Sequence, residues 1–213
     1  MSVEAKLRDD ICILARSLFD RGLAAGSTGN ISARLPDGTI LMSPIGSTFR
    51  ELEPERLSKL NAAYIHIGGE KPSEELPLHS AFYATRPGTG AVVHLHSSHT
   101  IGLSILPDLD PDDVLQPLTP HSVVKLGEVK LLPYFIPGDP AIGDALRELG
   151  GEYSAVLLAN HGAIVAGYDL QSTVDAFEEL EEAAKVALLT RQLHPRALSP
   201  EQVADLRDIY AIG

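Results

Sequence analysis

The sequence predicts an α/β fold in one domain, residues 1–213, built on a mixed, largely antiparallel sheet. Three observations carry that expectation. Short apolar or alternating runs of strand length take turns with amphipathic runs of helical spacing along the whole chain. Two pairs of strand-like runs lie so close in sequence that each pair must fold back as a hairpin: 31–35 with 39–42 around Pro36-Asp37-Gly38, and 155–159 with 163–167 around Asn160-His161-Gly162. No repeat, low-complexity tract or linker divides the chain, and 213 residues with 44% hydrophobic content suffice for one real core.

Residues 3–21 read as the first helix. Leu7, Ile11, Leu14, Ala15 and Leu18 recur at spacings of three and four, Ser2 stands at the N-cap position and Gly22 at the C-cap. Ala25-Gly26-Ser27-Thr28-Gly29-Asn30 is either a tight helix-to-strand loop or a nest of backbone N–H groups suited to an anion. It is not a Walker A loop, because no Gly-Lys-Ser/Thr follows. After the first hairpin comes a second loop of small residues, Ser43-Pro44-Ile45-Gly46-Ser47-Thr48. A short helix is expected at 54–60, with Pro54 in its first turn, and a strand at 62–67 with His66 facing solvent. The segment 71–79 leads into a helix through 80–85. Glu74 and Glu75 before it suit first-turn charges favoured by the helix dipole, or a base in one of them, and His79 reads as a packed or hydrogen-bonding residue.

The break at Arg86-Pro87-Gly88 precedes a strand ending in Val93-His94-Leu95-His96. Residues 98–106 read as a helix with His99 near its start, and 107–120, rich in Pro and Asp, as a surface loop. A strand at 129–132, a turn at 137–140 and a helix at 141–149 lead to the second hairpin, whose first strand is wholly apolar. Residues 170–191 read as a long helix with Val174, Phe177, Leu180, Ala184, Ala187 and Leu188 as its apolar stripe, and a last helix starts at Ser199.

The formal net charge of −12 disfavours a nucleic-acid or anionic-membrane partner. An anionic small substrate would need a local positive source such as a metal or clustered N–H groups. The single cysteine, Cys12, sits where a helix would bury it. It forbids a disulfide within the chain and suits a reducing cytoplasm. The start lacks the basic and apolar regions of a signal peptide, and no run has the length of a membrane span.

The chemistry concentrates in the histidines. In a strand, His94 and His96 point to one face and Leu95 to the other. Two imidazoles side by side can start a metal site or simply end a buried strand. The loop histidine of Asn160-His161-Gly162 shifts the balance towards metal, since a catalytic site needs about three protein ligands and an open position.

Together these pieces resemble the class II aldolase/adducin family over nearly the whole chain. The matching residues are Gly26-Ser27-Thr28-Gly29-Asn30-Ile31-Ser32, Ser43-Pro44-Ile45-Gly46, Glu75 with His79, His94-Leu95-His96 and Ala159-Asn160-His161-Gly162. Leu76-Pro77-Leu78-His79, Val93-His94-Leu95-His96-Ser97, Leu118-Thr119-Pro120 and Pro137-Gly138-Asp139-Pro140 are similar to the 3-oxo-tetronate 4-phosphate decarboxylases within it. The resemblance implies a three-layer fold with helices on both faces of the sheet, and a homotetramer with active sites near subunit contacts. It implies that His94, His96 and His161 bind a divalent metal, usually Zn²⁺, and that Glu75, nineteen residues before His94, is the acid/base carboxylate. It places a substrate phosphate against Ser27, Gly29, Asn30, Gly46 and Ser73.

The implied reaction is decarboxylation of a 3-oxo-tetronate 4-phosphate to dihydroxyacetone phosphate through a metal-bound enediolate. A sugar-phosphate aldolase or epimerase shares that chemistry, and an adducin-like scaffold would have none. The chain departs from the pattern twice. Glu74 stands where relatives often carry a small hydroxyl or a lysine beside the phosphate. His121 follows Leu118-Thr119-Pro120 where the decarboxylases carry a tyrosine thought to donate a proton, a role an imidazole can take.

Overall fold

Eight strands form one sheet in the order β4-β3-β2-β1-β5-β8-β7-β6. The structure, a computed structural model, describes residues 2–210. The strands are β1 (Asn30–Arg34), β2 (Ile40–Met42), β3 (Ser58–Leu60), β4 (His66–Gly68), β5 (Ala91–Leu95), β6 (Val129–Leu132), β7 (Ala155–Leu158) and β8 (Gly162–Gly167). Every neighbouring pair is antiparallel except β6 and β7, which run parallel. The two predicted hairpins are β1–β2 and β7–β8. The parallel pair needs a long crossover, supplied by helix α5 (Pro140–Glu148).

Side-chain alternation sorts the sheet into two faces. Along β5, Ala91, Val93 and Leu95 belong to one buried cluster with Ile11 and Leu18 of α1 (Val3–Asp20) and Phe177 and Leu180 of α6 (Leu170–Thr190). Val92, between them, points the other way into a second buried cluster with Leu78 and Phe82 of α2 (Leu76–Thr85) and Ile142 and Leu146 of α5. The result is three layers: helices, sheet, helices. The layer with α1 and α6 also holds α3 (Ser98–Ser104) and α4 (Pro120–Leu126), and α7 (Pro200–Tyr210) packs on α4. By parity, His94 shares the α2 side with Val92, together with Asn30 and Ser32, which pair across β1 with His94 and Val92.

Helix ends follow the sequence signals. The Ser2 hydroxyl accepts from Ala5 N–H at 3.1 Å, and Gly22 takes φ +78 after α1. Asp169 and Ser172 close a capping box on α6. Among the described residues, no helix is long and apolar enough to cross a membrane.

Three local expectations differ. Residues 54–60 are not a helix: a 3-10 turn, Pro54–Arg56, gives way to β3, whose Ser58 and Leu60 are buried. The strand expected at 62–67 begins only at His66. The Asn61 side chain accepts from Ala63 and Ile65 N–H groups, and Tyr64 takes φ +61, so the chain turns there first. Helix α4 arises at the end of the segment read as loop. Thr119 caps it by accepting from Ser122 N–H, with Pro120 in the first turn.

Candidate active site

Three elements deliver the predicted ligands to one point, and a fourth closes over them. β5 ends in His94 and His96, on the α2 side of the sheet. The β7–β8 turn places His161, with Asn160 at φ +58, a conformation asparagine tolerates well. Gly162 lies so close to β5 that a Cβ there would meet the Leu95 carbonyl oxygen at 2.5 Å. Glu75 is the N-cap residue of α2, but its side chain makes no cap bond and turns towards the histidines. The β1 loop closes over the strand at Gly29, where φ is +85 and a Cβ would lie 2.8 Å from the His94 carbonyl oxygen.

The ligand atoms of Glu75, His94, His96 and His161 lie within 4.8 Å of one another. His94 Nε2 stands 3.1 Å from His96 Nε2 and 3.3 Å from Glu75 Oε2, and His161 Nε2 stands 3.2 Å from Glu75 Oε1. His94 Nδ1 donates to the Ala163 carbonyl at 2.8 Å, which turns Nε2 inward. Glu75 Oε1 and both ring nitrogens of His161 are buried without a hydrogen-bond partner among the described residues. Such converging lone pairs demand a cation, either a proton or a metal, and this donor set fits a divalent ion.

The electrostatics agree. Burial raises the Glu75 carboxyl pKa, but the electrostatic pull of the adjacent His94 ring and contacts from His161, His94 and Asn30 outweigh it. The group is held well below the usual carboxylate range. Burial, with His94 and His161 nearby, pulls His96 down to about 4, so it offers a neutral imidazole near pH 7.

A cleft of about 230 Å³ opens beside the cluster. It is lined by Ser27, Gly29, Asn30, Gly46 and Ser73, the five residues expected to hold a phosphate, with Glu75 and His96 at the same wall. A bridge between Pro44 and Pro72 draws the Gly46 loop to Ser73. Glu74 is exposed at the cleft. The Asn30 side chain is already committed: Nδ2 donates to Glu75 Oε2 at 2.7 Å and to Ser73 Oγ at 3.2 Å. His121 is exposed on α4, near Glu179 of α6, and it does not line this cleft. His66 and His99 lie outside the cluster.

The family model described as "Class II Aldolase and Adducin N-terminal domain" matches residues 9–188. The chain belongs to the class II aldolase/adducin family. A family member from Escherichia coli K12, named 3-oxo-tetronate 4-phosphate decarboxylase, is 44% identical over 205 residues, which is 96% of this chain and 97% of that one. An L-fuculose phosphate aldolase from Haemophilus influenzae is 32% identical, covering 93% and 91% of the two chains. The solved structure of YgbL from Escherichia coli superposes with a TM-score of 0.95 at 44% identity, over 97% of this chain and 100% of that chain. That of an L-fuculose 1-phosphate aldolase reaches 0.85 at 22% identity and shares the class II aldolase fold, over 100% and 98% of the two chains.

Sequence reasoning placed Asn30 at the phosphate and read His79 as packed or hydrogen-bonding, but it did not assemble two polar groups around the cluster. The first is the set Asn30, Ser32, His79 and Tyr83 beneath Glu75. Its signal was present: residues 75, 79 and 83 share one helix face, and 30 and 32 share one strand face. The second is Glu181 of α6, which accepts from Ser97 Oγ at 2.6 Å, from the N–H groups of His99 and Thr100 at 3.0 Å each, and from His99 Nδ1 at 2.8 Å. Nothing in the acidic face of α6 marks that carboxylate among its neighbours.

Proposed function

We infer that this protein is a metal-dependent carbon–carbon lyase of carbohydrate metabolism that decarboxylates a 3-oxo-tetronate 4-phosphate to dihydroxyacetone phosphate. The observation that carries the reading is the Glu75, His94, His96 and His161 cluster opening onto a cleft lined by small, N–H-rich loops. The names of the 44%-identical relatives select decarboxylation from the reactions such a site supports. A single sheet shared by all eight strands supports treating 1–213 as one domain.

His94, His96 and His161 would hold the ion, which we assign as Zn²⁺; bound there, it supplies a Lewis acid for developing oxyanion charge. The chain's own residues do the rest. Ser27, Gly29, Gly46 and Ser73 grip the phosphate through hydroxyl and backbone donors, which lets an acidic protein take an anionic substrate. Both amide hydrogens of Asn30 are engaged, so it lines the pocket and serves Glu75. When the C1–C2 bond breaks, CO₂ leaves, the electron pair stays on C2 as an enediolate, and a proton drawn from water reaches C2 through Glu75. The contacts that hold Glu75 anionic must loosen as substrate arrives, since only then can it carry a proton.

His121 remains our assignment for a second proton donor. Its position on α4, away from the cleft of its own chain, means that a neighbouring protomer must present it. That fits the homotetramer we propose, in the cytoplasm. Aldol cleavage would reach the same enediolate by losing an aldehyde. The test is incubation with both configurations of 3-oxo-tetronate 4-phosphate, following CO₂ and dihydroxyacetone phosphate. Release of an aldehyde from fuculose 1-phosphate with no CO₂ from either acid would overturn the reading. Light scattering that finds a monomer at micromolar concentration would overturn the assembly and, with it, the role of His121.

A further inference from the structure

Beneath Glu75 runs a chain of hydrogen bonds that ends deep between α2 and the sheet. Asn30 Nδ2 lies 2.7 Å from Glu75 Oε2, and Asn30 Oδ1 lies 2.5 Å from His79 Nε2. His79 Nδ1 lies 2.7 Å from Ser32 Oγ, which lies 2.9 Å from the Tyr83 hydroxyl. Asn30, Ser32, His79 and Tyr83 are all buried, at 3%, 0%, 0% and 3% exposure, so water does not substitute for any partner.

The direction of each bond follows from the carboxylate end. A carboxylate only accepts, so the Asn30 amide must turn Nδ2 to Glu75 and Oδ1 to His79. Oδ1 only accepts, so His79 carries its hydrogen on Nε2. A neutral imidazole then accepts at Nδ1, so Ser32 donates there and its oxygen accepts from Tyr83. Burial keeps His79 neutral, with its pKa pulled down to about 3. The opposite amide orientation would set Oδ1 against Glu75 Oε2, acceptor against acceptor. Only the hydrogen on His79 Nε2 selects between the two orientations from behind.

We propose that His79 is a positioning residue for Glu75: its Nε2–H fixes the Asn30 amide so that Nδ2 is always presented to the acid/base carboxylate. This rests on the reading of Glu75 as the proton-transfer group. His79 touches neither substrate nor metal ligand; it acts through Asn30, as outer partners in metal sites act through the ligands they orient.

The test compares the metal-loaded full-length parent with His79→Leu, His79→Gln, Glu75→Gln and the double variant Glu75→Gln/His79→Leu. The activity readout is uptake of solvent deuterium into dihydroxyacetone phosphate, which isolates proton transfer. His79→Leu is expected to lower kcat roughly 10- to 100-fold with KM little changed. His79→Gln supplies an amide N–H towards Asn30 Oδ1 and should recover most of that loss. In the Glu75→Gln background, His79→Leu should cost less than about twofold more, because both act on one step. Equal losses from His79→Leu in both backgrounds, or a lowered melting temperature in His79→Leu with kcat unchanged, would overturn the proposal.

Imidazole ¹⁵N spectra of the parent read the same chain without turnover. An Nε2–H tautomer at His79, with an Asn30 amide signal that shifts in the Leu or Gln variant, supports it even if dihydroxyacetone phosphate proves not to be a ligand. An Nδ1–H tautomer would overturn it whatever the enzyme turns over. A parent that exchanges no deuterium would sink the proposed function instead.

Discussion

His94, His96 and His161 were legible as a converging set because two of them share a strand face by alternation and the third stands in a loop that a hairpin must return to the sheet. We expect His94→Ala, His96→Ala and His161→Ala each to lose most bound divalent metal and activity, while His66→Ala and His99→Ala keep metal. His66 bonds the Gly68 carbonyl and His99 bonds Glu181, both outside the cluster. Metal analysis of the five purified variants checks this, and equal retention in all five would refute the assignment. Glu75→Gln should fold and retain metal, with turnover lower by roughly two to four orders of magnitude, the range for a positioned acid or base. Glu74→Gln should do much less, since its carboxylate is exposed and outside the cluster. Parent-like turnover in Glu75→Gln beside a dead Glu74→Gln would exchange the two roles. What the sequence did not disclose at this scale was the state of Glu75. Its low pKa depends on neighbours from β1, β5 and the β7–β8 turn, and no local pattern encodes that convergence.

At the scale of elements, hairpins and caps were legible because their chemistry is local: Ser2, Gly22 and the 31–42 and 155–166 folds each rest on residues a few positions apart. The failure at 54–60 has the opposite cause. β3 is held by pairing with β2 and by burial of Leu60, a tertiary gain that overrides a weak helical signal. Helix α3 shows the same dependence on distant residues. Its N-cap residue Ser97 makes no side-chain cap bond, and the first N–H groups are satisfied instead by Glu181 from α6. Burial opposes the charge on Glu181, but the bonds from Ser97, His99 and Thr100 prevail and lower its pKa. Glu181→Ala should therefore cost about 1–3 kcal/mol, the penalty of leaving buried donors unpaired. The lowered folded pKa means that this stabilisation is present above the unfolded carboxylate range and is lost as pH falls through the folded value. Denaturant midpoints of parent and variant that differ at pH 7 and converge in acid are the expected result. A constant difference at all pH values would rule the carboxylate out as the cause.

The whole molecule sets its α2 layer on a largely apolar sheet face, and beneath the site His79 stays neutral among Asn30, Ser32 and Tyr83. That arrangement has a consequence for the stability of the entire fold in acid. Burial holds the His79 pKa at about 3, against 6.5 for an ordinary histidine. Between those values the unfolded chain binds a proton that the folded chain refuses. Stability from this group is therefore complete above about pH 6.5 and declines as pH falls towards 3, with a slope approaching roughly 1.4 kcal/mol per pH unit. His96, pulled down to about 4, adds in the same direction where no metal already excludes its proton. Replacing His79 with Gln removes the titrating group while leaving an amide N–H to face Asn30. The variant should lose stability at pH 7.5 through imperfect packing, yet its stability should fall less steeply between pH 6.5 and pH 4.5. The measurement is denaturant unfolding across that range at fixed protein and metal concentrations, because assembly and metal binding both shift the apparent midpoint. If parent and His79→Gln lose stability with the same slope, His79 is not the buried group that acid must charge, and the acid sensitivity lies in the carboxylates alone.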